Sequence, residues 1–352
     1  LFRSVKAISY NSKILVMDEP TSSISDKEVA FLFKTMRSLT SKGVGIIYIS
    51  HKMSELEEIC DRVTVMRDGE YVGTEVVKNT TKDALIAMMV GRELTNYYTR
   101  DFEEHEEVIM RCEGISDGEL AENVSFELRK GEILGFAGLV GSGRTELMNC
   151  LFGVDKRAGG EIRLNGKDIS PRSPLDAVKK GMAYITESRR DNGFFPNFSI
   201  AQNMAISRSL KDGGYKGAMG LFHEVDEQRT AENQRELLAL KCHSVNQNIT
   251  ELSGGNQQKV LISKWLCCHP EVIIFDEPTR GIDVGAKAEI YKVMRQLADD
   301  GKVILMVSSE LPEIIAVCDR IAVFCEGRLT QILTNRDDMS EEEIMAWALP
   351  QE

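Results

Sequence analysis

The sequence predicts an α/β protein made of two copies of one domain, each with a parallel sheet covered by helices. Residues 14–69 match residues 272–327 at a constant offset of 258, with 19 identities in 56 positions. Each copy alternates helical segments with strands that are apolar on both faces, a pattern typical of a buried parallel sheet. A register that never drifts over this length indicates duplication rather than chance similarity.

Each copy is expected to fold through the same order of elements. An aliphatic strand ends in Asp-Glu-Pro-Thr, and an amphipathic helix, a second strand, a short helix and a hairpin follow. Capping-box patterns, Thr80-x-x-Asp83 and Ser340-x-x-Glu343, should open a closing helix in each copy. The expected pairs of elements are helices Glu28–Leu39 and Lys287–Ala298, strands Ile46–Ile49 and Val303–Val307, and closing helices over residues 84–90 and 344–349.

The two copies differ in what precedes the repeated segment, which begins only 13 residues into the chain in the first copy. We expect residues 1–96 to be the C-terminal part of a first domain, residues 97–107 an acidic linker, and residues 108–352 a complete second domain. The first domain is expected to be truncated, with its upstream half lying before Leu1.

Composition excludes several classes of protein. The chain has 55 acidic and 43 basic residues, a net charge of −12, and no basic block, so it is poorly suited to wrapping nucleic acid. Its apolar runs fall short of the ~20 residues that span a bilayer, so it is not itself a channel. Eight cysteines without any C-x-x-C spacing indicate free thiols in a reducing compartment.

A glycine-rich loop, Gly138-Leu-Val-Gly141-Ser142-Gly143-Arg144-Thr145, joins an expected strand to a helix over residues 146–151. Glycines let backbone amides surround phosphate oxygens, the helix N-terminus adds positive potential, and the Thr145 hydroxyl suits Mg²⁺. At the end of a later strand, Asp276 supplies a carboxylate for Mg²⁺ and Glu277 a second acid that orients water. These residues predict a phosphate site.

The segment Leu252-Ser253-Gly254-Gly255-Asn256-Gln257-Gln258 lies between that loop and the Asp-Glu strand. Loop, segment and strand in this order resemble the nucleotide-binding domain of ABC transporters. Two such domains on one chain, with Gly-Arg-Thr-Glu in the second loop, resemble the ATP-binding subunits of bacterial monosaccharide importers of the ribose, galactose, xylose and allose class. The stretch from Gly131 to Glu352, including residues 157–161 and 168–173, most resembles the members that import D-allose.

The resemblance implies a RecA-like sheet with a helical subdomain at about residues 197–264, and ATP sandwiched between two domains with Mg²⁺. It implies membrane permease subunits and, indirectly, a periplasmic sugar-binding protein as partners, no nucleic acid, and a peripheral location on the cytoplasmic face of the inner membrane. The expected nucleotide-contacting residues are Gly138, Gly141, Ser142, Gly143, Arg144, Thr145, Glu146, Glu187, Ser253, Gly254, Gly255, Gln257 and Ser309. The expected metal ligands are Thr145, Asp276 and Asp18, and the expected catalytic residues are Glu19, His51 and Glu277.

Three positions of the second domain depart from the family pattern. Arg144 replaces a lysine, Glu187 stands where a glutamine is usual, and the offset places Ser309 where the first domain has His51. These changes suggest nucleotide binding with little turnover there, and a competent site made of Glu19, His51, a glycine loop upstream of Leu1 and the Ser253 segment. Two alternatives stay open: a nearly inactive nucleotide-binding module that docks to the permease, and an ABC ATPase of DNA repair or translation.

Overall fold

The computed structural model describes residues 12–18, 20–21, 26–50, 53–67, 70–81, 84–85, 88, 106–212 and 224–350. The chain divides into two compact units, residues 1–97 with 283–285, and residues 98–282 with 286–352. The predicted residues Glu19 and His51, and nearly all of the predicted acidic linker, lie outside the described residues.

The first unit pairs two parallel strands and carries a separate antiparallel hairpin. The strands are β1 (Ile14–Asp18), β2 (Gly45–Ile49), β3 (Arg62–Arg67) and β4 (Glu70–Val76), and the helices are α1 (Asp26–Thr40) and α2 (Met53–Ile59). β1 pairs with β2 in parallel, and β3 with β4 antiparallel. Alternate residues of β1 pack against α1, which contributes Phe33 and Met36 to a small buried cluster.

The second unit holds the remaining elements. Its strands are β5 (Val108–Ser116), β6 (Val124–Arg129), β7 (Ile133–Gly138), β8 (Gly159–Leu164), β9 (Lys167–Asp168), β10 (Met182–Ile185), β11 (Val272–Asp276), β12 (Val303–Val307), β13 (Arg320–Cys325) and β14 (Arg328–Thr334). Its helices are α3 (Arg144–Phe152), α4 (Pro174–Lys179), α5 (Ile200–Asp212), α6 (Glu224–Leu237), α7 (Gly254–Leu266), α8 (Val284–Asp299), α9 (Leu311–Val317) and α10 (Glu341–Ala348).

The sequence repeat is reproduced element by element. Adding 258 to the bounds of β1, β2, α2, β3 and β4 gives the bounds of β11, β12, α9, β13 and β14. The long helix differs by one residue: adding 258 to the bounds of α1 gives residues 284–298, whereas α8 ends at Asp299. The same local sequence rules therefore produce the same elements in both copies.

A six-stranded sheet in the order β10-β11-β12-β7-β13-β14 forms the centre of the second unit. All neighbours pair in parallel except β13 with β14, which form the expected hairpin. Strands β11 and β12 are buried at every position, which explains their uninterrupted apolar sequences. Parallel pairing brings the C-terminal ends of β7, β11 and β12 to one edge, where the loops that follow them meet.

Two further layers complete the second unit. An antiparallel sheet in the order β6-β5-β8-β9, which the sequence analysis did not predict, shares a hydrophobic core with the central sheet. Helices α5 and α7 pack together around a separate core that includes Ile200, Met204 and Val260, in agreement with the expected helical subdomain. No helix in the described part of the chain has both the length and the apolar character needed to cross a bilayer.

The helix caps required one correction. Ser340 caps α10 as expected, with its hydroxyl accepting from the Glu343 amide at 3.2 Å. In the first copy the predicted cap at Thr80 is wrong, because Thr81 Oγ1 accepts from the Ala84 amide at 3.2 Å. The Thr80 amide instead closes a short 3₁₀ turn by donating to the Val77 carbonyl. All eight cysteines are free thiols.

The central strand β7 gives a test of the core. Phe136 is fully buried, with an edge-on contact to the Phe126 ring and a tilted contact to the Phe324 ring at centroid distances of 5.4 and 5.8 Å. We expect Phe136→Ala to lower the free energy of unfolding by about 3–5 kcal/mol, because it removes buried contacts and leaves a cavity. The matched control is Val140→Ala, since Val140 is 89% exposed in the next loop. Similar urea midpoints for both variants would contradict this assignment of the core.

Candidate nucleotide site

The glycine-rich loop turns from β7 into α3 with three glycines in left-handed or extended backbone of positive φ: Gly138 (154°), Gly141 (81°) and Gly143 (98°). A Cβ at Gly138 would lie 2.6 Å from the Phe324 carbonyl oxygen, so only glycine fits there. A Cβ at Gly141 would meet no atom within 4 Å, so the loop is open at that point. The first turn of α3 leaves its amides without intrahelical acceptors, directly beside this space.

Thr145 and Asp276 meet at the edge of the sheet. Thr145 Oγ1 lies 3.5 Å from Asp276 Oδ1, and the Tyr184 hydroxyl lies 3.0 Å from Asp276 Oδ2. Asp276 ends β11 and is only 1% exposed. Burial raises the pKa of its carboxyl, against the opposing effect of the Tyr184 and Thr145 hydrogen bonds. Among the described residues, no lysine or arginine forms an ion pair with the Asp276 carboxylate.

Glu277, directly after Asp276, has a left-handed backbone with φ of 48°, a conformation that costs energy for a residue with a side chain. Its amide donates to the Val307 carbonyl at 2.9 Å, and the Ser309 hydroxyl donates to its Oε2 at 3.2 Å. Burial raises the pKa of Glu277 to about 7, although nearby Arg144 and Ser309 favour the ionised form. This carboxyl is therefore poised between its two protonation states near neutral pH.

Arg144, at the loop position of the usual lysine, is buried. Its Nη1 donates to the carbonyls of Ser308 at 2.6 Å and Phe136 at 3.3 Å. Burial lowers its pKa, while the acidic side chains of Glu277 and Asp276 act in the opposite direction. The guanidinium therefore links the C-terminal ends of β7 and β12 through these two hydrogen bonds.

Glu187 forms an ion pair with Arg280, the residue that follows the Asp-Glu-Pro-Thr turn. The Arg280 amide donates to the Glu277 carbonyl at 3.2 Å, so this ion pair borders the same turn. A glutamine at position 187 could not provide the negative partner. The negative charge of Glu187, which stands where a glutamine is usual, is therefore paired with the positive charge of Arg280.

The Ser253 segment begins helix α7 some distance along the chain from the loop. Asn256 Nδ2 donates to the Ser253 hydroxyl at 2.9 Å, and Gln257 Nε2 donates to the Leu252 carbonyl at 3.1 Å. A Cβ at Gly255 would lie 2.4 Å from the Ala286 Cβ, so a side chain there would clash with the helix that follows Asp276. These contacts fix the first turn of α7 and leave Ser253 at its N-terminus.

A buried hydrogen-bond network behind the site was not predicted from the sequence. Glu313 accepts from Thr279 Oγ1 at 2.7 Å, from Ser308 Oγ at 3.1 Å and from Lys287 Nζ at 2.7 Å. The signal was available, because Thr21, Ser50 and Glu55 occupy the matching positions of the first copy. There Glu55 Oε2 accepts from Thr21 at 2.9 Å and from Ser50 at 3.0 Å.

The structure thus brings part of the predicted site together. The loop, Thr145, Asp276, Glu277 and Ser309 lie at one edge of the sheet, joined by the contacts above. Glu146 occupies the first turn of α3 beside them, and Asp18 ends the corresponding strand of the first copy. Tyr184 and Arg280 belong to the site but were not predicted. Tyr184 lies near the end of a buried strand and Arg280 directly follows Asp-Glu-Pro-Thr, so their positions in the sequence could have indicated them.

The residues present suit a nucleoside triphosphate with Mg²⁺. The space at Gly141 and the free amides of α3 suit phosphate oxygens. Ser142 Oγ is buried with no hydrogen-bond partner among the described residues, and the buried Asp276 carboxylate has the oxygen chemistry that Mg²⁺ prefers. Fold and site together define a nucleotide-binding cassette.

Comparison with known proteins agrees with this class. Residues 121–280 match the ABC transporter family model. The chain is 77% identical over 353 residues to the D-allose import ATP-binding protein AlsA of Escherichia coli (strain K12), covering 99% of this chain and 69% of that protein. It is 49% identical to a putative ribose/galactose/methyl galactoside import ATP-binding protein of Halalkalibacterium halodurans, covering 98% and 65%.

Solved structures support the fold. The ATP-binding cassette MJ1267 of an ABC transporter superposes with a TM-score of 0.58 at 23% identity, over 70% of this chain and 100% of that one. A nucleotide-free ATP-binding cassette from an ABC transporter gives a TM-score of 0.58 at 22% identity, over 69% and 100%. The chain belongs to the family of ATP-binding proteins of ABC sugar importers, and it spans about two thirds of the length of these curated relatives.

The buried position of Glu277 makes its ionisation measurable. In the nucleotide-free chain we expect its carboxyl to titrate with a midpoint of about 7, because burial disfavours the charged form. Ser309→Ala should raise this midpoint further, since it removes a donor that stabilises the carboxylate. The measurement is ¹³C NMR of glutamate side-chain carboxyls, with Glu277→Gln to assign the signal. Ser340→Ala is the remote control, and a midpoint near that of an exposed glutamate would contradict the prediction.

Proposed function

We propose that this chain is the ATP-hydrolysing, energy-coupling subunit of a bacterial monosaccharide importer, with D-allose as its sugar. Family membership supports the class of activity, and the 77% identity to the D-allose import ATP-binding protein supports the sugar. The observation that carries the proposal is the convergence of Thr145, Asp276 and Glu277 at the open end of the glycine loop.

The proposed roles follow from the chemistry of each side chain. The loop amides and the first turn of α3 hold the phosphates, and Thr145 and Asp276 hold Mg²⁺. When bound, Mg²⁺ neutralises charge that develops on the phosphate oxygens. Glu277 accepts a proton from, or orients, the attacking water, a role that requires its ionised form.

The proposed partners are membrane permease subunits and, through them, a periplasmic sugar-binding protein. The chain would act from the cytoplasmic face of the inner membrane as a peripheral subunit. Nucleotide binding at Ser253 and at the glycine loop would draw two domains together, and hydrolysis would release them. Residues 187–198 are the proposed docking segment for a permease helix.

Thr145 provides a test of the proposed nucleotide site. We expect Thr145→Ala to weaken binding of ATP about tenfold in Mg²⁺ while leaving binding in EDTA unchanged, because the lost hydroxyl serves the metal rather than the phosphates. Binding is measured by titration with a fluorescent ATP analogue. Thr145→Ser keeps the hydroxyl and should bind like the wild type, and Thr230→Ala is the remote control. An equal loss in Mg²⁺ and EDTA would show that Thr145 has no metal-specific role.

A second candidate function is a module that binds nucleotide without turning it over. Three features favour it: Arg144 donates to two backbone carbonyls, burial raises the pKa of Glu277 to about 7, and Ser309 stands where the first copy has His51. In this case the second copy would contribute binding energy and its Ser253 segment, and hydrolysis would take place at the other site.

Transport measurements separate the two candidates and test the sugar. With ATP on the side of the chain and the sugar-binding protein on the opposite side, we expect vesicles that contain the chain and its permease to take up radiolabelled D-allose in preference to D-ribose, with release of phosphate. Asp276→Asn should leave the fold intact and reduce uptake at least tenfold, because a neutral amide is a poorer Mg²⁺ ligand. The control is Asp338→Asn, since Asp338 lies far along the chain from the site. ATP binding without phosphate release would favour the second candidate, and uptake of D-ribose alone would contradict the proposed sugar.

A further inference from the structure

The Tyr184 hydroxyl occupies a buried position between α3 and Asp276, and the proposed function assigns it no role. Tyr184 is the third residue of β10 and is only 3% exposed. The register of β10 with β11 pairs it with Ile274, so the alternation of side chains puts it on the same face of the sheet as Asp276. Its ring makes an edge-on contact with the Phe152 ring at a centroid distance of 5.4 Å. The core around the ring therefore holds the hydroxyl next to the carboxylate.

The two oxygens of the Asp276 carboxylate have different neighbours. The Tyr184 hydroxyl donates to Oδ2 at 3.0 Å, whereas Oδ1 lies 3.5 Å from Thr145 Oγ1. Thr145 belongs to the first turn of α3, directly after the glycine loop. The hydroxyl thus occupies Oδ2 and leaves Oδ1 as the oxygen on the side of Thr145.

Helix α3 reaches the same carboxylate by a second route. Asn149 follows Thr145 by four residues, so the two side chains lie on one face of α3. Asn149 Oδ1 lies 3.2 Å from the Tyr184 hydroxyl oxygen. The helix therefore contacts Oδ1 of Asp276 directly through Thr145, and Oδ2 indirectly through Asn149 and Tyr184.

The phenol of Tyr184 has a single proton for two neighbouring acceptors. Burial and the charge of Asp276 raise the pKa of Tyr184, so the phenol keeps this proton at neutral pH. An ionised carboxylate is a stronger acceptor than an amide oxygen, which directs the proton to Asp276. The Asn149 amide can turn over to place its Nδ2 at the same point and donate to the phenol oxygen.

We propose that Tyr184 is a positioning residue for Asp276: its hydroxyl holds the carboxylate with Oδ1 turned toward Thr145, and Asn149 supports it from α3. Partners of this kind fix the orientation of metal-binding groups. Without the hydroxyl, Oδ2 would lose this donor while it stays buried, and the carboxylate would be free to rotate. That the held oxygen serves Mg²⁺ rests on the proposed function, whereas the contacts among these side chains do not.

Titration of the whole chain with mant-ATP tests the role toward the metal. We expect Tyr184→Phe to weaken binding about tenfold in Mg²⁺ and to leave binding in EDTA unchanged, because the orientation of the carboxylate matters to the metal alone. In an Asp276→Asn background the same change should cause no further loss, because Tyr184 acts through that carboxylate. Tyr291→Phe is the matched control and should bind like the wild type, since it alters a buried tyrosine in a separate core cluster.

A second variant covers the case in which Tyr184→Phe does not fold, as judged by circular dichroism. Asn149→Ala removes the outer support from a half-buried position on α3 and leaves the phenol in place. We expect a loss of binding of about threefold, again in Mg²⁺ and not in EDTA, because one neutral hydrogen bond is removed. A loss of equal size in Mg²⁺ and EDTA, for either variant, would overturn the inference.

Urea unfolding of the nucleotide-free chain tests the contact independently of the proposed function. Both tryptophans, Trp265 and Trp347, lie in the second unit, so their fluorescence follows the unit that contains Tyr184. We expect Tyr184→Phe to lower the urea midpoint when Asp276 is present, and to have no effect in an Asp276→Ala background. An equal shift in both backgrounds, or none in either, would overturn the inference. ATP binding by the wild type that does not respond to Mg²⁺ would contradict the proposed function, and this cycle would still decide whether Tyr184 holds Asp276.

Discussion

Burial of the Asp276 carboxylate is the constraint on which the arrangement of the site depends. The side chain is 1% exposed at the end of an entirely buried strand, and its nearest hydrogen-bonding neighbours are the neutral hydroxyls of Thr145 and Tyr184. Burial disfavours the charged form of this carboxyl and raises its pKa, and the hydrogen bonds from Tyr184 and Thr145 and the charge of Arg144 oppose that rise. A divalent ion held by Thr145 and Asp276, as in the proposed function, would offset this cost of burial.

A second buried carboxylate keeps the strand ends in place, and the duplication has preserved it. Glu313 joins Thr279, after the Asp-Glu-Pro turn of β11, to Ser308 at the end of β12. In the first copy Glu55 joins Thr21 and Ser50 in the same way. Among the described contacts, Lys287 also donates to Glu313, and the Tyr48 hydroxyl donates to Glu55 at 2.6 Å. The hydroxyl contacts of the buried carboxylate are therefore present in both copies.

Local sequence patterns were sufficient to predict most of the fold. The continuous apolar runs identified β11 and β12, and the repeat transferred their order to β1 and β2, because burial on both faces leaves few alternatives. The antiparallel sheet was missed although Asn165-Gly166, a typical two-residue hairpin turn, joins β8 to β9. The pairing of β5 with β8, which are far apart in sequence, has no such local signal. Pairing between strands far apart in sequence follows from the tertiary core they share with the central sheet.

The candidate site was predictable where a side chain follows a motif and unpredictable where it depends on a distant partner. Thr145 and Asp276 were expected to meet because both follow parallel strands of one sheet. The direction of the Arg144 side chain was not, since it is set by the Ser308 carbonyl 164 residues away. The Glu187–Arg280 ion pair was missed for the same reason, because neither residue alone carries a sign of the other.

The three departures from the family pattern are physically connected. Arg144 holds the Ser308 carbonyl, Ser309 is the next residue, and its hydroxyl donates to Glu277. Burial raises the pKa of Glu277 to about 7, and the charge of Arg144 and the Ser309 hydrogen bond oppose that rise only in part. A serine at position 309 satisfies that carboxyl with a neutral donor, where an imidazolium would have stabilised the ionised form more strongly. The second copy therefore joins the ends of β7 and β12 through Arg144 and carries beside them a carboxyl whose pKa is about 7.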